Sequence, residues 1–247
     1  MSHSDFALSA CIVILLPGCF PGFDYNTQSF AAGEATSLSG RQLYFNAEDF
    51  GTVKTSLVPH YLRFVSERTT LPVDPADHDT IDFSQADPFE LTLPDGVYAA
   101  YFGEPYTTLY IGSDGTIAFG TRGTGNGNLL DYFSSNQISL LPVDATVEGA
   151  RITYAIYDYN IVVTFENVSG STFQCELFLL GWQFYNIAVT YTVVSENTRA
   201  GVVGLADHHW LGHGEGGVEG FLERSYVESN LTESTLRTNT ETLKLGL

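Results

Sequence analysis

The chain has 247 residues, of which 44% are apolar and 13% aromatic, enough to build a core that offsets chain-ordering entropy without a cofactor, so whole-chain disorder is excluded. Its 29 acidic and 10 basic residues give a formal net charge of -19, with lysine only at Lys54 and Lys244; phosphate binding needs clustered Lys and Arg, which excludes nucleic acid as a partner. Three cysteines, Cys11, Cys19 and Cys175, are too few to staple a small disulfide scaffold.

The first element in chain order is the apolar stretch from Phe6 to Phe20. It is short for a membrane span of about 20 residues and closer to the core of an export signal. Leu16-Pro17-Gly18-Cys19 loosely matches a lipoprotein cleavage box, whereas the first ten residues carry no Lys or Arg, the charge an export signal uses. Within it, Cys11-Ile12-Val13-Ile14-Leu15-Leu16 is rich in β-branched residues, favours a strand and exposes too much apolar area to hang free in water. The following Pro17-Gly18-Cys19-Phe20-Pro21-Gly22 supplies a joint. Three placements are open: an export or lipid signal, a strand of the chain's own sheet, and an assembly strand donated to a neighbouring copy.

Past residue 25, apolar residues alternate in short runs broken by turns, with no sustained helical period. Strands are predicted at Gln42–Phe45, Tyr61–Val65, Phe89–Leu93, Tyr98–Phe102, Thr108–Ile111, Thr116–Phe119, Arg151–Asp158, Asn160–Glu166, Thr172–Leu180, Tyr185–Val194 and Gly201–Leu205. Such a pattern predicts an all-β, antiparallel, jelly-roll-like β-sandwich as one domain over residues 26–232, after an apolar segment 1–25 and before a Thr-rich tail 233–247. Ser113-Asp114-Gly115 is the strongest hairpin signal, and its Asp-Gly pair predicts a type I′ turn, which needs positive φ at both central residues. Asp158-Tyr159-Asn160 marks a second hairpin. Gly120 to Asn128, with four glycines in nine residues, and Leu211 to Gly220 are predicted mobile loops. Cys175 shares an alternation face with Phe173 and Leu177, as a small core hydrophobe would.

Tyr106-Thr107-Thr108-Leu109-Tyr110-Ile111-Gly112-Ser113-Asp114-Gly115-Thr116-Ile117-Ala118-Phe119-Gly120 resembles the hairpin of a β-rich domain of unknown function in secreted proteins of planctomycetes and related bacteria, a motif also similar to part of nidogen-type extracellular domains. Phe133 to Leu140, Val162 to Val168, Thr172 to Phe178 and Leu71-Pro72-Val73-Asp74-Pro75-Ala76 are similar to further motifs of that family, in the same order, over roughly residues 39–232. The loop at Pro142-Val143-Asp144 and that from Gly181 to Asn186 depart from the family pattern. The resemblance implies secretion and a surface location, and it implies no catalytic residues.

Residues that carry chemistry are sparse. Asp207-His208-His209-Trp210-Leu211-Gly212-His213-Gly214-Glu215 is the one His/carboxylate cluster. Consecutive histidines on an extended chain point apart and no Cys joins them, so no metal is expected there. Asp74, Asp77, Asp79 and Asp82 lack the central Gly and terminal Glu of an EF-hand and read as an acidic turn. A Gly-x-Ser-x-Gly elbow and a phosphate loop are missing from the sequence. The sequons Asn167-Val168-Ser169 and Asn230-Leu231-Thr232 are glycosylation acceptors, and the tail from Thr232 to Thr242 has Thr or Ser at six positions, suited to O-linked sugar. The expectation is a non-enzymatic extracellular or cell-surface protein without cofactor or membrane span. Its partner is itself, as the subunit of a filament joined by strand donation; the alternative is a monomeric adhesin whose Tyr-rich loops hold a glycan.

Overall fold

The computed structural model describes residues 27–33, 37–48, 60–102, 104–127, 132, 134–179, 186–196 and 198–206. Residues 11–16, Asn230 and the histidine cluster with its loop lie outside them. The ordered elements assigned among the described residues are fifteen strands: β1 (Thr27–Phe30), β2 (Arg41–Glu48), β3 (His60–Glu67), β4 (Asp79–Thr80), β5 (Phe89–Thr92), β6 (Ala99–Tyr101), β7 (Glu104–Tyr106), β8 (Thr108–Ile111), β9 (Thr116–Phe119), β10 (Gln137–Ser139), β11 (Arg151–Ile156), β12 (Asn160–Val168), β13 (Ser171–Phe178), β14 (Asn186–Val193) and β15 (Gly201–Ala206).

Two sheets hold all but β6 and β7, which pair as a separate hairpin. The first runs β1-β15-β10-β9-β8-β5 and the second β3-β2-β14-β13-β12-β11-β4. Every pairing is antiparallel, and the chain is an all-β sandwich. The eleven predicted strands all fall on observed ones. β1, β4, β7 and β10 have no counterpart among them because they span only two to four residues and carry Thr, Gln, Ser, Glu or Pro where alternation would need apolar groups.

Period-two patterning explains the core. Along β13, Phe173, Cys175 and Leu177 are buried with Ile161, Val163 and Phe165 of β12 and Val189 and Tyr191 of β14. Facing them, the first sheet contributes Leu109, Ile111, Ile117, Phe119, Ile138 and Leu205 to the same cluster. Phe165 stacks on Phe173 at 4.8 Å and Tyr101 on Phe119 at 4.1 Å. The Tyr101 hydroxyl donates to the Gln137 carbonyl at 2.7 Å and accepts from the Ala206 amide at 2.9 Å, tying β10 to β15 at one end of the core.

The β8–β9 turn corrects one expectation. Gly115 N–H donates to the Gly112 carbonyl at 3.2 Å and Gly112 N–H to the Thr116 carbonyl at 2.9 Å. Only Gly115, with φ +85°, is left-handed, so the turn is a three-residue loop closed by a glycine and not type I′. The cause is the Asp114 carboxylate, which accepts from Thr116 N–H (3.2 Å) and Thr116 Oγ1 (2.6 Å) and so engages the strand after the turn. Consecutive positive φ values, the type I′ signature, stand instead at Ser169 (50°) and Gly170 (81°), between β12 and β13.

Both sheets are also covered on their outer faces. β3 and β4 are opposite edges of the second sheet, so residues 68–78 must cross its whole outer face. Beneath them lies a polar row in register, Gln42, Thr190, Gln174, Thr164 and Thr153, the last four wholly buried. At its centre Gln174 Oε1 accepts from Val73 N–H at 3.0 Å, and its Nε2 donates to the Val73 carbonyl at 2.9 Å and to Thr164 Oγ1 at 2.7 Å.

A second strap crosses the first sheet. The segment 120–127, predicted as mobile, lies flat on β9, β10 and β15 and is pinned there. Gln137 Nε2 donates to the carbonyls of Gly125 (2.7 Å) and Tyr132 (2.9 Å), Asn126 Nδ2 to Ser139 Oγ (2.9 Å), and Val202 N–H to the Asn126 carbonyl (2.9 Å). Its glycines serve contact: a Cβ on Gly123 would stand 2.5 Å from Gln137 Oε1.

Replacing Gln174 with Ala removes three hydrogen bonds and leaves the Val73 N–H and C=O facing a sheet with no partner. Chemical denaturation should show a loss of about 3 kcal/mol, while Gln42→Ala, which removes one donated bond to Thr190 Oγ1 at 3.0 Å, should cost about 1 kcal/mol.

Candidate functional site

In an all-β sandwich, backbone hydrogen-bonding capacity left for a partner is found at sheet edges. Four strands stand at the edges: β1 and β5 in the first sheet, β3 and β4 in the second. β1 and β5 have four residues each, and β5 is bracketed by Pro88 and Pro94, which lack N–H groups. β4 has two residues and covers only Thr153 and Tyr154 of the six-residue β11. β3 is different in kind. All eight of its residues pair with β2 on one side, and among the described residues no strand pairs with it on the other.

The side chains near this edge are aromatic and charged. On the outer face, Phe64 of β3 lies 6.4 Å from Tyr44, which lies 6.3 Å from Phe178. On the inner face Arg63 is only 2% exposed and in register with Phe45. An inward-pointing charge on an edge strand is a known guard against indiscriminate pairing. Arg41 and Glu67 close the rim with an exposed ion pair at 3.2 Å, worth well under about 1 kcal/mol.

Burial raises the titration of the Tyr44 phenol at this edge; the other perturbed titratable groups lie elsewhere. Burial raises the Asp114 carboxyl above its ordinary value, opposed by its bonds from Thr116 and aided by the neighbouring Asp87 carboxylate. Asp87 accepts from Ser113 N–H (3.1 Å) and Oγ (2.5 Å), fastening the β8–β9 turn. Glu176 is also raised by burial, against the pull of Arg68 and an Asn160 amide at 3.2 Å. The Cys175 thiol is wholly buried and its titration is pushed far up by desolvation and by Glu176, so it is no nucleophile at neutral pH.

The acidic turn is occupied with its own backbone. Asp74 Oδ1 accepts from Ala76 N–H (3.0 Å) and Asp82 Oδ1 from Ser84 N–H (2.9 Å), while Asp79 sits in β4. Among the described residues no three of His, Cys, Asp and Glu come together where they would hold a metal ion. Ser113, Asp114 and Gly115 form the β8–β9 turn. Asn167 is exposed at the end of β12 with φ 52°, its Nδ2 donating to the Gly149 carbonyl at 3.2 Å. Cys11, Ile12, Val13, Ile14, Leu15, Leu16, Asn230, His208, His209 and His213 lie outside the described residues.

Arg63, Gln137 and Gln174 escaped the sequence reading. Arg63 and Gln174 occupy polar positions in alternating runs, which a period-two pattern assigns to solvent, and Gln137 lies in β10, too short and polar to read as a strand; only the crossing of the straps and the depth of the β2–β3 rim show otherwise. No protein-family model, no curated protein and no solved structure matches the chain.

Asp114→Asn removes a desolvated charge while its Oδ1 still accepts from Thr116. Because the folded-state carboxyl titrates above its unfolded value, the charged form costs stability at neutral pH, and that cost disappears as the pH falls through the carboxylate range. Thermal melts should find the variant more stable than the parent at neutral pH, the difference closing on acidification.

Proposed function

We propose that this protein is a non-enzymatic structural subunit outside the cell or on its surface, and that copies join by β-strand donation. The observation that carries the reading is β3, an eight-residue edge with one paired side among the described residues. Long bare edges are aggregation hazards that natural sheets cover or blunt. The run Ile12 to Leu16 is the segment of the sequence that most needs a sheet and a groove, and the Pro/Gly joint at residues 17–22 lets it reach a neighbour. A contact of this kind is heterologous, head to tail, and builds an open filament when rotation does not close a ring. The motif order resembling secreted surface proteins supports the same location.

Burial of three branched side chains would contribute about 5 kcal/mol per junction from area, before ordering costs are subtracted. A second reading, a monomeric adhesin or glycan-binding module, draws support from Tyr157 and Tyr159 at the β11–β12 turn, which are 43% and 69% exposed and offer faces on which a sugar can stack.

Size-exclusion chromatography and negative-stain imaging separate the two. The full chain should form polymers, deletion of residues 1–22 should leave folded monomers, and Ile12→Asp with Ile14→Asp should weaken polymerisation without unfolding the body, because a charge is not buried unpaired at a junction. A truncated chain that still polymerises, or a full chain that stays monodisperse, would overturn the assembly reading.

A further inference from the structure

We propose that His78 is an acid-operated latch that holds the far end of the 68–78 strap, together with the edge strand β4, against β11.

His78 directly precedes β4 and is 8% exposed. Its Nε2 lies 2.8 Å from the Tyr157 hydroxyl, with the rings edge to face at 5.9 Å. Its Nδ1 is buried and makes no hydrogen bond. Its backbone N–H donates to the Pro75 carbonyl at 3.2 Å. The strap end is held from β11 as well: Arg151 donates to the carbonyls of Pro75 (3.2 Å) and Ala76 (3.4 Å), with its other arm on Glu166 of β12 at 3.0 Å.

This site accepts an imidazole and resists an imidazolium. With Nε2–H donating to Tyr157, a second proton would create a buried Nδ1–H that has no acceptor, a costly group in a desolvated place. The charged groups around it divide. Arg151 on β11 repels a cation, whereas Asp74 and Asp77 on the strap and Glu166 on β12 attract one, and Asp79 follows in β4. Burial and then Arg151 dominate, lowering the His78 titration below its ordinary 6.5. Once the strap end lifts, the ring is solvated and regains its ordinary basicity.

The sign follows from linkage. The closed form binds a proton less readily than the open one, so closure is fully favoured above about pH 6.5 and weakens as the pH falls below it, by up to about tenfold per pH unit until the closed form also titrates. What lifts runs from Asp74 to the Ile81 amide, because the Gln174 amide holding Val73 does not ionise. What is uncovered is the backbone of β11: the partners of Asp79 and Thr80, and the Ile152 carbonyl that accepts from Ile81 N–H at 2.8 Å. Mild acid would therefore open the second sheet at the edge opposite β3, a state the strand-donation reading neither requires nor supplies.

Amide hydrogen exchange of the full chain between about pH 7.5 and about pH 5.5, corrected for intrinsic rates, tests this. The Ile81 amide should lose protection by up to about tenfold per pH unit below about 6.5, while the Gly112 amide, bonded to Thr116 in the other sheet, keeps its own. His78→Gln, which still offers a donor to Tyr157 but does not titrate, should abolish the pH dependence. In case that variant does not fold, NMR titration of the native His78 ring should give a midpoint below 6.5. The latch is overturned if Ile81 protection does not change, if Gly112 loses protection in parallel, if His78→Gln retains the response, or if the His78 ring titrates at or above 6.5.

Discussion

Each sheet of this sandwich is buried on both faces where a crossing segment covers it, and a segment of irregular chain laid over a sheet brings N–H and C=O groups that must be satisfied there. The constraint on the whole arrangement is that those groups find partners. Gln174 meets it for residues 68–78, and Gln137 with Asn126 meets it for residues 120–127. An amide side chain offers one acceptor and two donors at the reach of a neighbouring strand's peptide unit, so a glutamine in a sheet's outer row acts as one rung of an additional strand. Fixing the straps in turn fixes what they connect: β3 to β4 across the second sheet, and β9 to β10 in the first.

That division shows where the sequence was legible. β8, β9, β11, β12, β13 and β14 have uninterrupted alternation with branched or aromatic inner residues, and their inner faces were readable one by one, down to Cys175 between Phe173 and Leu177. Outer faces were not, because a buried Thr or Gln looks the same in a sequence as a solvated one until the covering segment is known. Residues 120–127 illustrate the inverse error: glycine was read as freedom, whereas Gly123 is there because the sheet beneath leaves no room for a Cβ. At Asp114-Gly115 a correct hairpin carried the wrong turn type, since the pair's conformation was set by Thr116, a residue beyond the dipeptide. For the candidate site, the Pro/Gly joint and the apolar run before it were legible, but the β3 edge was not, because being an edge is a property of sheet order and β3 alternates like any inner strand.

Charge complements these contacts. At a formal net charge of -19, copies repel over about a Debye length of 8 to 10 Å in physiological salt. Association of the kind proposed would then rely on short-range backbone pairing and apolar side chains that act only at contact, and it would strengthen with salt. Arg63 and Arg41 place two of the ten basic residues on the inner side of the β2–β3 rim, so the edge is less acidic than the molecule around it.

Sheet order also has a consequence for how the chain is made. Among the described residues β1 pairs with β15 in the first sheet, joining Thr27 to Gly204 and Phe30 to Gly201, and β2 finds its inner neighbour in β14. On a ribosome adding about 5 to 20 residues per second, β1 waits on the order of ten to thirty seconds for its partner to emerge. A long wait favours a strand that tolerates water, and Thr27-Gln28-Ser29-Phe30 is the most polar of the longer edge segments. The meander β11 to β14, by contrast, is contiguous and carries Phe165, Phe173 and Tyr191. It is the part of the sandwich able to collapse as it appears, with the amino-terminal strands adding to it afterwards.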